Sequence, residues 1–162
     1  MRGKRTLQSD PWLDLTRLLR ERPRSVLEVR QRLKRRGHRD DAIEKTIRTA
    51  LDAGLLDDHT FAKLWVTDRL WHHPLSRAAL AKELHDKGID PSIIDGTLGE
   101  LYPAVREVEL ARDLAATRFE RLRGIDRDRR WNRTVNHLVR RGFSRHLACD
   151  VVRQIEKEIE DE

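Results

Sequence analysis

A leucine followed four residues later by a glycine, with mostly charged residues between them, recurs at three points along the chain. The pairs are Leu33 with Gly37, Leu84 with Gly88, and Leu138 with Gly142. The glycines stand 51 and then 54 residues apart. A repeat of this length is typical of tandem units that bury their apolar faces against one another. The sequence therefore predicts three copies of one small unit.

Apolar residues at helical spacing precede and follow each of these glycines, which predicts a helix on either side. Before the glycines they are Val26, Val29 and Leu33, then Leu80 and Leu84, then Trp131, Val135 and Leu138. After them they are Ile43, Ile47 and Leu51, then Ile94, Leu98 and Leu101, then Leu147, Val151 or Val152, and Ile155. Each glycine is predicted to end its first helix in the left-handed conformation.

A third apolar stripe precedes each pair, so that every unit is predicted to have three helices. Its members are Trp12, Leu15, Leu18 and Leu19, then Phe61, Leu64 and Trp65, then Val108, Ala111, Ala115 and Phe119. We expect an all-α fold of three tandem three-helix, helix-turn-helix-like repeats forming an elongated, curved molecule. The predicted units are residues 1–55 with a basic N-terminus, residues 56–102, and residues 103–162 with an acidic C-terminal tail.

Capping residues mark most of the predicted helix starts. Ser25 with Glu28 forms a capping box. Asp10 and Asp90 each precede a proline, the residue favoured in a first helical turn. Ser76 and Ser144 precede two further helices, and one of the adjacent Asp57 and Asp58 is expected to cap the helix that carries Phe61.

Charge is unevenly distributed along the chain. Residues 1–50 hold 15 Lys and Arg against 7 Asp and Glu, residues 51–100 hold 5 against 9, and residues 101–162 hold 14 against 12. Two basic ends thus flank an acidic middle, an arrangement that suits a protein partner that itself carries nucleic acid. The chain has a single cysteine, Cys149, and it has neither an apolar run of 18 residues nor an apolar signal core. These features predict a cytoplasmic protein without a membrane segment. A monomer is expected.

No motif for catalysis, a metal or a cofactor is found in the sequence. There is no glycine-rich phosphate loop, no Gly-x-Ser-x-Gly elbow and no Cys/His pairing. The adjacent His72 and His73 have no Cys, Asp or Glu at a ligand spacing such as four residues later. We therefore predict a binding protein rather than an enzyme. Trp65 and Trp131 are predicted to be core residues, and Trp71 is predicted to contact a partner.

Two clusters of basic residues are the remaining functional signal. The first comprises Arg30, Lys34, Arg35 and Arg36, and the second comprises Arg129, Arg130, Arg133, Arg140, Arg141 and Arg145. Two or three cations at a helix C-terminus are explained by the helix dipole alone. The excess beyond that number suggests contact with phosphate groups or with an acidic partner.

Several short segments of the sequence, distributed over nearly the whole chain, resemble the RecX family of regulatory proteins. Gly54-Leu55-Leu56-Asp57-Asp58, followed by Phe61-Ala62, Trp65 and Arg69, is similar to the family's most recognisable segment. Leu84 with Lys87-Gly88-Ile89 and, near the C-terminus, Arg140-Arg141-Gly142-Phe143-Ser144 are similar to two further family segments. The family-motif residues of this chain are Leu56, Asp57, Asp58, Phe61, Ala62, Trp65, Arg69, Gly88, Gly142 and Phe143.

The resemblance implies a protein that binds the RecA recombinase, lodges in the groove of its filament on DNA, and modulates, usually inhibits, its activities. It implies a place in DNA repair, recombination and the SOS response, and no enzymatic activity. A second hypothesis stays open on the residues themselves. Helix, glycine turn and helix also describe helix-turn-helix modules, so the chain could bind single- or double-stranded DNA directly.

Overall fold

The computed structural model describes residues 10–160, which form nine α-helices and contain no strand. Residues 1–9, which carry much of the predicted basic N-terminus, and residues 161–162 lie outside the described part. The helices are α1 (Pro11–Glu21), α2 (Val26–Arg35), α3 (Asp40–Asp52), α4 (Asp58–His72), α5 (Arg77–Asp86), α6 (Pro91–Leu101), α7 (Ala104–Glu120), α8 (Arg127–Arg140) and α9 (Arg145–Glu160). The predicted all-α fold of three tandem three-helix repeats is confirmed.

Each trio of helices encloses its own core. Leu15, Leu33 and Ile47 lie in the core of α1–α3, and Leu110 packs against both the second and the third core. Leu56, at the start of the predicted second unit, packs in the first core. The predicted division after residues 55 and 102 remains our proposal for the unit limits.

The predicted helix caps are found where the sequence indicates them. The Ser25 side chain accepts a hydrogen bond from the Glu28 backbone N–H, and the Glu28 carboxylate accepts one from the Ser25 backbone N–H, which completes the capping box. Asp10, Ser76 and Asp90 cap α1, α5 and α6. Ser144 caps α9 through the backbone N–H of Leu147. Local sequence thus fixes where these helices begin.

The repeat glycines end α2, α5 and α8 in the left-handed region, as predicted. Gly37, Gly88 and Gly142 have φ values of 86°, 76° and 88°. Two of these glycines also lie against the preceding unit. A Cβ added at Gly88 would be 2.7 Å from Leu27 Cβ, and one at Gly142 would be 2.6 Å from Ser76 Oγ. Only a residue without a side chain allows the units to approach this closely.

Hydrogen bonds donated by a serine N-cap connect each unit to the next. The Ser25 hydroxyl, at the start of α2, donates to the carbonyl of Lys87, the C-cap of α5, at 2.7 Å. The Ser76 backbone N–H, at the start of α5, donates to the carbonyl of Arg141, the C-cap of α8, at 2.9 Å. The donor is a hydroxyl in the first joint and a backbone N–H in the second, but both joints connect a serine N-cap to the C-cap of the next middle helix. The units therefore lie in series, the order expected of an elongated row. The curvature of the row stays a prediction.

The third unit departs from this design at the start of its middle helix. Ser25 and Ser76 each stand twelve residues before a repeat glycine, and the residue at that position in the third unit is Arg130. There α8 has 14 residues whereas α2 and α5 have 10, so its N-cap, Asp126, comes one turn earlier. The guanidinium of Arg130 lies 3.6 Å from the centre of the Phe119 ring, and its Nε donates to the Phe119 carbonyl.

Several residues of the predicted apolar stripes are not in a core. Leu51, Leu64 and Val108 are 43%, 50% and 48% exposed, so their prediction as core residues was wrong. Trp65 and Trp131 are only partly buried, although both pack against their cores. Trp71 is 77% exposed, and its role as a contact residue stays a prediction.

None of the helices in the described part of the chain combines the length and apolar character that a bilayer span requires.

Candidate partner-binding surface

Most of the first basic cluster is occupied by contacts within the protein. The Arg30 guanidinium holds the Glu44 carboxylate through two hydrogen bonds, of 2.6 and 3.1 Å. These bonds raise the pKa of Arg30 and lower the pKa of Glu44. Lys34 forms an exposed ion pair with Asp40 at 3.3 Å. Arg35 has no carboxylate partner in the part of the chain that the structure describes, and its Nε donates to the Gln31 carbonyl.

Arg36 belongs to a buried polar network that sequence reasoning missed. Its guanidinium donates to the carboxylate of Asp14, which also lies 2.8 Å from Nε2 of His38. The side chains of Asp14 and His38 are each only 2% exposed. The available signal was the position of Asp14 four residues before Leu18, on the apolar face of α1. The network attaches the end of α2 to α1, so Arg36 has a structural role.

The second basic cluster divides into residues held by the protein and residues exposed on its surface. The Arg141 guanidinium donates to the Pro74 carbonyl at 2.7 Å, across the joint between the second and third units, and Arg130 is held against Phe119. The exposed members, Arg129, Arg133, Arg140 and Arg145, have no carboxylate partner within residues 10–160. Each of their guanidinium groups is available to a partner.

Arg129, Arg133 and Arg140 form a stripe on α8. Their spacing of four and seven residues places them on one side of the helix, and Asn136 lies between them. This side faces away from Val135 and Leu138, which are buried in the third core. The stripe is about 16 Å long, from the rise of 1.5 Å per helical residue. We name Arg129, Arg133 and Arg140 the α8 arginine stripe.

The α8 arginine stripe is not explained by folding. Like charges four residues apart on a helix, such as Arg129 and Arg133, are unfavourable by about 0.2–0.5 kcal/mol. In the second unit, the positions equivalent to Asn136 and Arg140 are Lys82 and Asp86, which form an ion pair at 2.7 Å. The third unit thus has a cation, Arg140, at the position where the second unit has a carboxylate, Asp86.

His137, beside this stripe, reports on the local positive potential. It is half-buried, and burial together with the charges of nearby arginines lowers its pKa, so that it is neutral near pH 7. The arginines that contribute are Arg141, Arg118, Arg140 and Arg121. Arg118 and Arg121 come from α7 and were absent from the predicted cluster, because only the fold brings the end of α7 beside α8.

The adjacent family-motif carboxylates, Asp57 and Asp58, have different roles. Asp57 caps α4, and hydrogen bonds from the Thr60 hydroxyl and from two backbone N–H groups hold its pKa below the usual range. Asp58 instead accepts a hydrogen bond from the Val26 backbone N–H in the first unit, at 2.9 Å, and burial raises its pKa. One carboxylate thus begins a helix while the other holds two units together.

Trp65 and Arg69 form a second group at the same joint. Two cations lie close to the Trp65 ring, the Arg69 guanidinium at 4.4 Å and the Lys87 ammonium at 3.9 Å from its centre. Trp65 and Arg69 both donate to the carboxylate of Glu83. Because Lys87 also supplies the carbonyl bound by Ser25, this group extends the joint between the first and second units.

The remaining family-motif residues support the cores or the joints. Leu56, Phe61, Ala62 and Phe143 are buried. Gly88 and Gly142 are the close-approach glycines of the two joints. These motif residues are therefore explained by the fold, and the exposed arginines are a separate feature of the surface.

The structure corrects one detail of the histidine analysis. His72 does have a carboxylate at helical spacing, because Asp68 stands one turn before it with Oδ1 4.0 Å from the His72 Nε2. Both side chains are exposed. Within the described residues, no group of three or more His, Cys, Asp or Glu is placed to hold a metal ion.

Models of protein families match the chain in three consecutive segments. Residues 16–48 match the first three-helix domain of RecX, residues 57–98 match the second, and residues 106–152 match the third. The matched segments follow the three helix trios in order.

Curated relatives and solved structures agree with these matches. The regulatory protein RecX of Streptomyces coelicolor is 38% identical over 146 residues, which cover 90% of this chain and 77% of the relative. The regulatory protein RecX of Mycobacterium avium is 39% identical over 137 residues, or 84% and 79% of the two chains. A crystal structure of RecX from Lactobacillus salivarius has a TM-score of 0.77 at 22% identity, covering 92% of this chain and 96% of that one.

Proposed function

The chain belongs to the RecX family of regulatory proteins, and on that premise we propose that it binds the RecA recombinase filament on DNA. In this proposal it modulates, and as a rule inhibits, the DNA-dependent ATPase, strand-exchange and co-protease activities of the recombinase in DNA repair, recombination and the SOS response. It acts by binding, as a cytoplasmic monomer without a cofactor or catalytic activity of its own.

The α8 arginine stripe is the observation that carries this proposal. Its guanidinium groups are exposed and have no carboxylate partner in the described part of the chain, which suits the phosphate groups of DNA. Residues 51–100 carry a net charge of −4, which suits a protein surface rather than DNA. A filament of recombinase on DNA offers both kinds of surface to one elongated molecule.

The contact surface we propose is narrower than the two basic clusters of the sequence. It consists of Arg129, Arg133, Arg140 and Arg145, with Arg35 at the other end of the row. Arg30, Lys34 and Arg36 pair with carboxylates of their own unit, and Arg130 and Arg141 are held by carbonyl groups. Reversing the charge of Arg36 or Arg141 would disturb the fold and would not report cleanly on binding.

The test is the rate of ATP hydrolysis by the recombinase on single-stranded DNA at fixed, near-physiological salt. We expect the rate to fall at well below one molecule of this protein per recombinase subunit, because simple competition for DNA needs far more protein. A paired variant, Arg133→Glu with Arg140→Glu, should require about tenfold more protein for the same inhibition, as expected when two charged contacts are reversed. Arg20→Glu with Arg48→Glu is the charge-matched control, since both residues are exposed in the first unit.

Direct DNA binding is the second candidate function, and the same stripe favours it. If it is correct, the protein alone binds DNA tightly, with an affinity that falls steeply with salt. The slope of the logarithm of the binding constant against the logarithm of the salt concentration should be about −0.9 for each phosphate contacted on a duplex. An unchanged ATPase rate together with such binding would replace the first proposal with this one.

A further inference from the structure

Two leucines that the apolar stripes assign to the core, Leu51 and Leu64, lie instead on one exposed groove. Leu55, 49% exposed, lies on the same groove between them in sequence. Leu51 is in the last turn of α3, Leu55 is in the connection and Leu64 is on α4, so the groove follows the joint between the first and second units. Exposed large apolar side chains gathered in one concave place are typical of a protein interaction site.

The groove consists of two adjoining hollows, with volumes of about 800 Å³ and 360 Å³. Both hollows are lined by Pro23, Phe61 and Leu64, so they form one continuous feature. We name it the joint groove. Its size accommodates several side chains of a helical or extended segment, which is the usual way in which an apolar groove receives a partner.

Charge at the joint groove selects the kind of segment it can hold. The cations on its lining are already paired, Arg22 with Glu28 at 2.9 Å and Arg24 with Glu21 at 2.8 Å. Asp57, which also caps α4, lines the larger hollow and forms no ion pair among the described residues. Asp68 lines the smaller hollow with only the exposed His72 at 4.0 Å. Two exposed carboxylates at the two hollows repel phosphate and attract lysine or arginine.

From this we infer that the joint groove binds a segment of the recombinase that carries two or three apolar side chains flanked by lysine or arginine. The inference rests on the proposed function and adds a second contact to it, separate from the α8 arginine stripe. The apolar side chains cover Leu51, Leu55 and Leu64, and the cations face Asp57 and Asp68. Because the lining comes from two units, the bound segment also holds the first joint in one geometry.

The first test measures affinity for recombinase filaments on single-stranded DNA, with fluorescently labelled protein and variants Leu55→Glu and Leu64→Glu. We expect each variant to bind filaments at least about tenfold more weakly than the wild type, because a charge replaces an apolar contact at the centre of an interface. Leu13→Glu is the matched control, since Leu13 is 51% exposed on α1 and does not line the groove. Its affinity for filaments should stay within about twofold of that of the wild type, a small change in binding free energy.

A charge variant keeps the apolar surface and guards against folding effects. Asp68→Lys should weaken filament binding several-fold, whereas Asp113→Lys, an equally exposed change on α7, should not. Circular dichroism of each variant confirms that its helix content is retained. If the wild type binds filaments and all groove variants bind equally well, the groove assignment is wrong and the proposed function stands. If the wild type does not bind filaments, both are wrong.

The second test identifies the occupant. A photo-crosslinking amino acid at position 64 is irradiated in the presence of filaments, and the captured peptide is sequenced by mass spectrometry. A recombinase peptide with lysine or arginine beside apolar residues supports the inference. Capture only of DNA, or only of a second copy of this chain, overturns it.

Discussion

The hydroxyl of Ser25 donates a hydrogen bond to the carbonyl of Lys87, 62 residues later in the chain, while its oxygen caps α2 by accepting from the Glu28 backbone N–H. One side chain thus begins a helix in the first unit and holds the end of a helix in the second. Stability of the units and of the joint between them is therefore coupled through single residues.

Ser25→Ala should reduce the free energy of unfolding by about 2 kcal/mol, since a cap contributes about 1 and the joint hydrogen bond about 1. Ser144→Ala is the control, because Ser144 caps α9 and is exposed. It should cost only about 1 kcal/mol, the contribution of a cap alone. Urea unfolding followed by circular dichroism measures both, and equal losses would show that the joint bond contributes nothing.

Replacing the repeat glycines by alanine should separate backbone strain from close packing. All three have positive φ, so each replacement costs about 1 kcal/mol. At Gly37 an added Cβ meets nothing within 4 Å, whereas at Gly88 it meets Leu27 and at Gly142 it meets Ser76. Overpacking adds about 1–3 kcal/mol at the last two positions. Similar unfolding midpoints for the three variants would contradict the close approach of the units.

Asp14→Ala should be among the most destabilising single changes in the first unit. It removes the acceptor of the buried His38, and a buried polar group left without its hydrogen-bond partner costs about 1–3 kcal/mol. Arg36 also loses this acceptor, but its side chain is 41% exposed and can be hydrated. Asp41→Ala removes an exposed pair with Arg39 and should change stability by less than about 1 kcal/mol. Thermal unfolding of both variants decides the matter, and a small effect at Asp14 would mean that the network relaxes around its loss.

Glu28 should make the joint sensitive to acid. Burial raises the pKa of its carboxyl, but hydrogen bonds from Arg22, Lys87 and the Ser25 backbone together bring it below the usual 4.5. Because the folded pKa lies below the unfolded one, this stabilisation is present above pH 4.5 and is lost as the pH falls through the folded pKa. Glu28→Gln should therefore lose less stability on acidification than the wild type does.

The control for that pH series is Glu109→Gln, an exposed carboxyl on α7. Its stability should fall with acid in parallel with the wild type, because the other carboxyls with lowered pKa values, such as Glu44 and Asp57, remain. If the stability of the Glu28 variant also fell with acid in parallel with the wild type, Glu28 would not contribute to the loss of stability at low pH.

The helices, their caps and their glycine ends could be predicted because each depends on neighbours in sequence. The capping box of Ser25 and Glu28 needs only a spacing of three residues, and Gly142 needs only a place after an apolar stripe. The order of three units followed from the glycine spacing. These are local properties, so one sequence is enough to define them.

The joints and the exposed surface could not be predicted, because they depend on residues far apart in sequence. Nothing local indicates that Asp58 reaches Val26, or that Asp14 takes the charge of Arg36. The periodic pattern also cannot distinguish a core leucine from Leu64, which points past the edge of its helix pair into the joint groove. The sequence shows where basic residues cluster, but it does not show which of them are paired with carboxylates inside the fold and which are exposed to a partner.

The presence of Arg130 in place of a serine makes the third unit different from the first two. In the two joints, the N-cap of a ten-residue middle helix, Ser25 of α2 or Ser76 of α5, meets the glycine end of the next middle helix, whereas Asp126, the N-cap of α8, lies one turn further from its glycine. The three units are therefore not interchangeable, because α5 takes part in the joints through both of its ends and α8 through its C-terminal end.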